Sequence, residues 1–217
     1  MDFEFIAEFA PMFVTATILT LKLAFFGIVL SLVVGLFCMI IKFYHIKALT
    51  PLINGYIELS RNTPLLIQLF FLYYGLPKLG VHISSFSCAV IGLAFLGGSY
   101  MAESFRLGFE AVKRSQIEAG LSIGLDKAQL LRYIILPQAF SVAIPSISAN
   151  VIFLLKETSI VSIVALADLV YVAKDLIGLY YKTDEALFML VVSYLIIILP
   201  ISLALTLWEK GVRIGRS

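Results

Sequence analysis

Charge is scarce in this chain. Only 14% of its residues are Asp, Glu, Lys or Arg, while 61% are hydrophobic; a soluble domain carries about a quarter charged residues. A chain this poor in charge cannot cover itself with polar surface in water, so the bilayer is its expected solvent. The formal net charge of +2 is too small to make nucleic acid a partner. Cysteine is limited to Cys38 and Cys88, both inside apolar runs. They have no metal-ligand spacing and form no disulfide framework, and they are expected to be small buried hydrophobes. His45 and His82 are isolated and expected in loops. No Ser-His-Asp or Cys-His arrangement and no G-x-x-x-x-G-K-[ST] phosphate loop occurs, so the chain offers neither hydrolytic chemistry nor a nucleotide site of its own. The start, Met1-Asp2-Phe3-Glu4, lacks the basic first region of a cleaved signal peptide. No linker or low-complexity tract divides residues 1–217, and a single domain is expected.

What is abundant is apolar sequence in long runs. A spanning helix needs about 20 mostly apolar residues. Phe13 to Ile41 is the first candidate, with Lys22 its one charge. Leu52 to Leu76 is a second, interrupted by Glu58 and by Arg61-Asn62-Thr63-Pro64. Ser85 to Phe109, Ile134 to Leu155 and Ala186 to Trp208 follow. The apolar part of the intervening segment, Ile160 to Val172, is too short to cross and is expected to form a re-entrant or surface helix. The expectation is an all-α membrane protein with about five spans. Lys42 and Lys47, then Lys113, Arg114, Lys127 and Arg132, then Lys210, Arg213 and Arg216 all fall on one side. Lys78, Lys156, Lys174 and Lys182, with acids beside them, fall on the other. The richer side is expected to be cytoplasmic, with the N-terminus outside and the C-terminus inside.

The loop from Ser115 to Pro137 reads SQIEAGLSIGLDKAQLLRYIILP. Ser115 and Glu118 have capping-box spacing, Gly124 suits a left-handed helix stop, and Asp126 with Gln129 offers a second box. Two short helices joined at Gly124-Leu125 are expected, either lying on the membrane or docking a protein.

Glu118-Ala119-Gly120, Gly124 and Ile134-x-Leu136-Pro137 resemble the "EAA" loop of permeases in binding-protein-dependent ABC importers. The pattern there is E-A-A, three residues, G, nine residues, I-x-L-P; both spacings match, with Gly120 in place of the second alanine. Arg61 to Pro77 is similar to the second-span signature of the polar amino-acid permeases, Tyr100-Met101-Ala102-Glu103 to their A-Y-x-A-E, and Leu154 to Ser159 to their L-L-K-D-T-S. The resemblance runs from Thr17 onward. It departs at Asn62 and Ser115, where glycine is usual, and at Glu157, where aspartate is usual. It implies a type I ABC importer permease fold in a bacterial cytoplasmic (inner) membrane. It also implies a second permease subunit, identical or paralogous, an ATPase dimer that carries the ATP-Mg, and an extracytoplasmic binding protein delivering a polar amino acid. Glu118, Ala119, Gly120, Gly124, Asp126, Leu136 and Pro137 would then couple to the ATPase.

Ionisable groups within a span are costly and point to function. Glu103 either pairs with Arg106 on the same helix or faces the pathway and holds a substrate cation. Arg61 either pairs with Glu58 or satisfies carbonyls freed by Pro64, or it belongs to the pathway. Lys156, Glu157, Thr158 and Ser159 stand where a span ends, as an interfacial helix end or, by resemblance, as part of a cavity or gate. Gln68 and Asn150 are weaker candidates, equally suited to interhelical hydrogen bonds. Trp208, Tyr73 and Tyr74 fit an aromatic belt. An ion-coupled carrier or passive channel is the alternative reading, and the loop at 115–137 discriminates against it.

Overall fold

The computed structural model describes residues 1–214, and side chains as far as Val212. The Arg213 side chain and Arg216, both counted above in the charge bias, lie outside the described residues. The first helix, α1 (Phe3–Phe43), is 41 residues long and starts well before the apolar run. The Asp2 carboxylate accepts the Phe5 amide at 3.1 Å, and this N-cap lets the helix begin in the polar leader. At 1.5 Å per residue, α1 measures roughly 60 Å, about twice the hydrocarbon thickness. Lys42 in its last turn complements the helix dipole.

The second expected span is broken. Helix α2 (Thr50–Arg61) stops at Asn62, and α3 (Leu65–Phe70) restarts after Pro64, continuing through a π turn (Phe71–Gly75) and a 3-10 turn (Leu76–Leu79). Neither half alone is long enough to cross, so among the described residues four helices are long and apolar enough, close to the count of about five expected. They include α1, α4 (Ser85–Glu110) and α9 (Thr183–Ile214). The remaining one is the continuous stretch Lys127–Val164. It comprises α6 (Lys127–Leu130), a π turn (Leu131–Ile135), α7 (Leu136–Glu157) and a 3-10 segment (Thr158–Val164). Before it comes α5 (Arg114–Ser122). The short apolar segment expected at 160–172 is split instead. Ala165, at φ +56°, ends the 3-10 segment, and α8 (Leu169–Tyr180) begins at the Asp168 N-cap.

Helix α4 is the axis of the bundle. It packs against α1, α2, α3 and α7, and small residues let the backbones close in. A Cβ on Gly35 would lie 2.5 Å from the Met101 Cβ and 2.8 Å from the Ala102 nitrogen. A Cβ on Gly108 would run into the Ala139 carbonyl oxygen. Gly108→Ala therefore forces α4 and α7 apart, at a cost of about 1–3 kcal/mol. The expected outcome is a lower melting temperature of the purified protein and less of it monodisperse in detergent, read by fluorescence size-exclusion.

One core surrounds Leu69, Leu93, Met101, Phe105 and Leu154; a second, formed by α1, α8 and α9, holds Phe13, Leu169, Leu176 and Ile197. At one end the N-terminus is tied to the α8–α9 turn. Asp2 pairs with Lys182 at 2.9 Å, and its amide donates to Glu185 at 2.8 Å. The Lys182 ammonium, by its hydrogen bond, holds the Asp2 carboxyl below its ordinary range. The opposite end carries the 44–49 turn and the α5–α6 pair. Phe25, Val33 and Phe37 on α1, and Val191, Ile196, Leu203 and Leu207 on α9, remain exposed. They form an exposed apolar belt of the kind a membrane protein carries.

Candidate functional site

The break between α2 and α3 borders a cavity of mixed polar and apolar lining. Pro64 has no amide hydrogen, so it frees carbonyls on the preceding turn. Gln68, buried, reaches back and donates to the Ser60 carbonyl at 3.2 Å and the Thr63 carbonyl at 3.0 Å. That is the task the sequence offered to Arg61. With Gln68 performing it, Arg61 is released toward the cavity. Nor does Arg61 pair with Glu58, which instead accepts the Asn62 amide group at 3.1 Å.

The cavity is an open one of about 340 Å³; Arg61, Asn62, Pro64, Tyr100, Phe153, Glu157 and Ile160 are among its walls. Its cation is Arg61. The guanidinium lies 5.5 Å from the centre of the Tyr100 ring, a cation–π distance. Its Nη1 is 3.8 Å from a Glu103 oxygen. Glu103 in turn receives Arg106 at 2.9 Å, and Arg106 also donates to both Glu110 oxygens at 2.8 Å. Arg61, Glu103, Arg106 and Glu110 thus form a charge-balanced string leading out of the cavity along α4. The Glu103–Arg106 pair anticipated from their spacing is present, and Glu103 stands behind Arg61 rather than in the cavity wall.

Glu157 is different. It is half-buried, lines the cavity, and takes part in no ion pair among the described residues. Arg61 and Glu157 are accordingly the cation and anion of the same wall. Lys156 is exposed and outside the lining; Thr158 is buried and donates to the Leu155 carbonyl at 2.7 Å; Ser159 is half-buried outside the lining. Asn150 braces α7 to α4, donating to the Ser104 hydroxyl at 2.8 Å, and Ser104 meets Ser146 at 2.8 Å. Tyr100 and Phe153 are cavity residues that the sequence analysis does not single out. Their signal was present: Tyr100 stands one turn before Glu103, and Phe153 one turn before Glu157, so each shares a helix face with a charged group.

The second assembly is the α5–α6 pair. Its turn is as the glycine implied: Gly124 has φ +85°, its amide donates to Leu121 at 3.0 Å, and Leu125 donates to Gly120 at 3.1 Å. Asp126 and Gln129 form the reciprocal capping box, at 2.8 and 3.0 Å. The expected Ser115–Glu118 box is absent. Helix α5 starts two residues earlier than a Ser115 cap would set it, at Arg114 with Lys113 as N-cap, so Ser115 lies inside its first turn and Glu118 pairs with Arg114 at 2.9 Å. Gly120 is buried, and a Cβ there would sit 2.6 Å from the Ile134 Cδ1. The glycine found in place of the pattern's second alanine therefore brings α5 against the π turn that leads into Leu136 and Pro137. Ala119, by contrast, is exposed. Leu121, Ile123 and Tyr133 are exposed at 53%, 78% and 63%; this is an apolar surface on the end of the bundle, beyond the membrane belt.

Residues 27–214 match the family model described as the binding-protein-dependent transport system inner membrane component. The probable amino-acid ABC transporter permease protein PatM of Vibrio harveyi is 37% identical over 196 residues, which cover 89% of this chain and 88% of that one. The nopaline transport system permease protein NocM of Agrobacterium fabrum is 30% identical over 220 residues, covering 96% and 91%. Among solved structures, an amino acid ABC transporter crystallised with histidines superposes with a TM-score of 0.89 at 35% identity, over 97% of this chain and 99% of that chain. The inward-facing MetNI methionine ABC transporter, at 19% identity and a TM-score of 0.74, shares the fold.

Proposed function

Because the chain belongs to the family of binding-protein-dependent transport system inner membrane components, we propose that its broken second span forms the station where a polar amino acid halts on its way through the membrane. The chain is an amino-acid permease of an ABC transporter, not an enzyme. The observation carrying the proposal is that Arg61 and the unpaired Glu157 line one cavity at a helix break. A zwitterion has a carboxylate for the first and an ammonium for the second. Both attractions strengthen as the cavity excludes water. Asn62 and Thr63 add neutral hydrogen-bonding groups beside them. Glu103 acts through Arg61, holding the guanidinium toward the substrate, and Arg106 braces Glu103 from the other side. The cavity of about 340 Å³ is within the lower range of small-molecule sites.

ATP hydrolysis belongs to a separate ATPase dimer, which docks on the α5–α6 pair through Glu118, Gly124 and the exposed Leu121 and Ile123. Asp126 fixes the second coupling helix, and Leu136 with Pro137 passes its motion into α7. An ion-coupled carrier has no use for such a surface. A second permease subunit completes the pathway, and an extracytoplasmic binding protein delivers substrate at the end where Asp2 meets Lys182. The test is reconstitution. Purified permease with its ATPase and binding protein in proteoliposomes should take up amino acid only with ATP, and equal uptake without the ATPase subunit would overturn the assignment.

The orientation has its own check. Cys38 and Cys88 are buried, so a cysteine introduced at exposed His82 should react with an impermeant maleimide added to intact cells. A reporter fused at the C-terminus should be active only if it is a cytoplasmic type. Labelling at His82 only after cell lysis would place the α5–α6 pair on the wrong side for an ATPase.

A further inference from the structure

Helix α2 is only 12 residues long, yet its last turn carries Arg61 to the cavity. It packs chiefly against α4, and the face it buries is small: Ile53, Ile57 and Ser60. Apolar burial is non-directional, so a face of this size holds α2 against α4 without fixing how far it slides along it. Hydrogen bonds do fix it. The Tyr56 hydroxyl donates to the Phe95 carbonyl of α4 at 2.7 Å. Ser60, one turn on and fully buried, donates to the same carbonyl at 2.8 Å and lies 3.0 Å from the Ser99 hydroxyl. Ser99 gives its own hydrogen to the Leu96 carbonyl at 2.7 Å, so toward Ser60 it acts as an acceptor. Gly98 makes room for this brace: a Cβ there would lie 2.6 Å from the Tyr56 hydroxyl oxygen. The Ser60 carbonyl, meanwhile, receives Gln68 of α3. Ser60 is therefore held from two sides, its side chain by α4 and its backbone by α3, and the next residue is Arg61.

Both groups that Arg61 meets, the Tyr100 ring and Glu103, also stand on α4, within about two turns of the brace. A slip of α2 by one turn along α4, about 5.4 Å, would carry the guanidinium away from both. We propose that Tyr56 and Ser60 are positioning residues for the substrate: by sharing the Phe95 carbonyl they fix the register of α2 on α4, and with it the place where Arg61 meets the substrate carboxylate. The inference rests on Arg61 being the partner of that carboxylate. Neither Tyr56 nor Ser60 lines the cavity, so both act through Arg61 alone.

The experiment is a double-mutant cycle on equilibrium binding of radiolabelled glutamine, histidine and arginine to the purified permease–ATPase complex. Tyr56→Phe and Ser60→Ala each delete one hydroxyl and leave the carbonyl of residue 60 to Gln68. Each should raise the dissociation constant by about threefold to tenfold per folded complex, the effect of one hydrogen bond. In an Arg61→Ala background neither should have any further effect, because the group they place is gone. A purely structural brace would lower the melting temperature alike in both backgrounds and leave binding unchanged. That result, or the same loss of affinity with and without Arg61, overturns the proposal. Arg61→Ala binding as tightly as the wild type is a distinct failure: it takes the substrate away from Arg61 and overturns the cavity reading together with this inference. Should a variant assemble poorly, or none of the three amino acids bind the unaltered complex, a cryo-EM map of the single variant that does assemble decides. Arg61 displaced from Tyr100 and Glu103 supports the proposal; Arg61 in its present place, 3.8 Å from Glu103, refutes it.

Discussion

Gly124→Val should leave a protein that inserts and folds but hardly transports. At φ +85° a β-branched residue is a steric outlier, and strain of this kind costs about 1–3 kcal/mol. No neighbour lies within 4 Å of a Cβ built there, so the penalty comes from the backbone alone. The turn can escape it only by changing conformation, which swings α5 relative to α6. Both backbone hydrogen bonds of the turn, Gly124 N–H to the Leu121 carbonyl and Leu125 N–H to the Gly120 carbonyl, would be lost or re-formed elsewhere. The spans do not depend on that turn, so membrane yield should stay near the wild-type level. We expect substrate-stimulated ATPase activity and uptake to fall about tenfold or more, in line with the strain energy. Glu118→Lys should act in the same direction, replacing the attraction to Arg114 with repulsion. Unchanged uptake in both variants would remove the coupling role from this loop.

Arg61→Ala should weaken transport most strongly at low substrate concentration. Charge-assisted hydrogen bonds contribute about 1.5–3 kcal/mol, so losing the guanidinium should raise the substrate concentration for half-maximal uptake by about tenfold to a hundredfold when the binding protein is saturating. It also leaves Glu103 with Arg106 alone, a pair already closed at 2.9 Å, so folding should suffer little. Glu103→Gln separates positioning from structure. It strips Arg106 of one partner while Glu110 remains, and it loosens Arg61. Uptake per folded transporter should fall, but less than in Arg61→Ala. A drop in folded protein with normal uptake per molecule would mean that Glu103 serves only the ion pair.

Local features of this chain were legible because a few neighbouring residues determine them. Gly124 followed by Asp126 predicts a stop and a restart, and both occur. Pro64 predicts the break in the second span, and it occurs. The Ser115–Glu118 spacing misleads because Arg114, one position earlier, pairs with the same glutamate across one helical turn and extends α5 backward. The early start of α1 rests on one side-chain bond from Asp2, which hydropathy does not register. What remained illegible is long-range. Nothing near Gln68 says that it will close the carbonyls at the break and free Arg61. Nothing near Arg61 places it over Tyr100, on a different helix. The spacing that correctly joined Glu103 to Arg106 says nothing about Glu157, whose importance comes from facing a cavity without a partner. The π turn at Leu131–Ile135 carries no signature in its residues, being set by how α6 and α7 pack.

The central claim is that Arg61 and Glu157 together hold the two charged ends of an amino acid. The most direct measurement is equilibrium binding of a radiolabelled polar amino acid to the purified permease–ATPase complex without binding protein, comparing the wild type with Glu157→Gln and Arg61→Ala. Both variants should lose affinity by about tenfold or more. Blocking the ammonium of the ligand should weaken wild-type binding but matter little in Glu157→Gln, and esterifying the carboxylate should matter little in Arg61→Ala. Wild-type affinity in both variants would contradict the account and move the site out of this cavity.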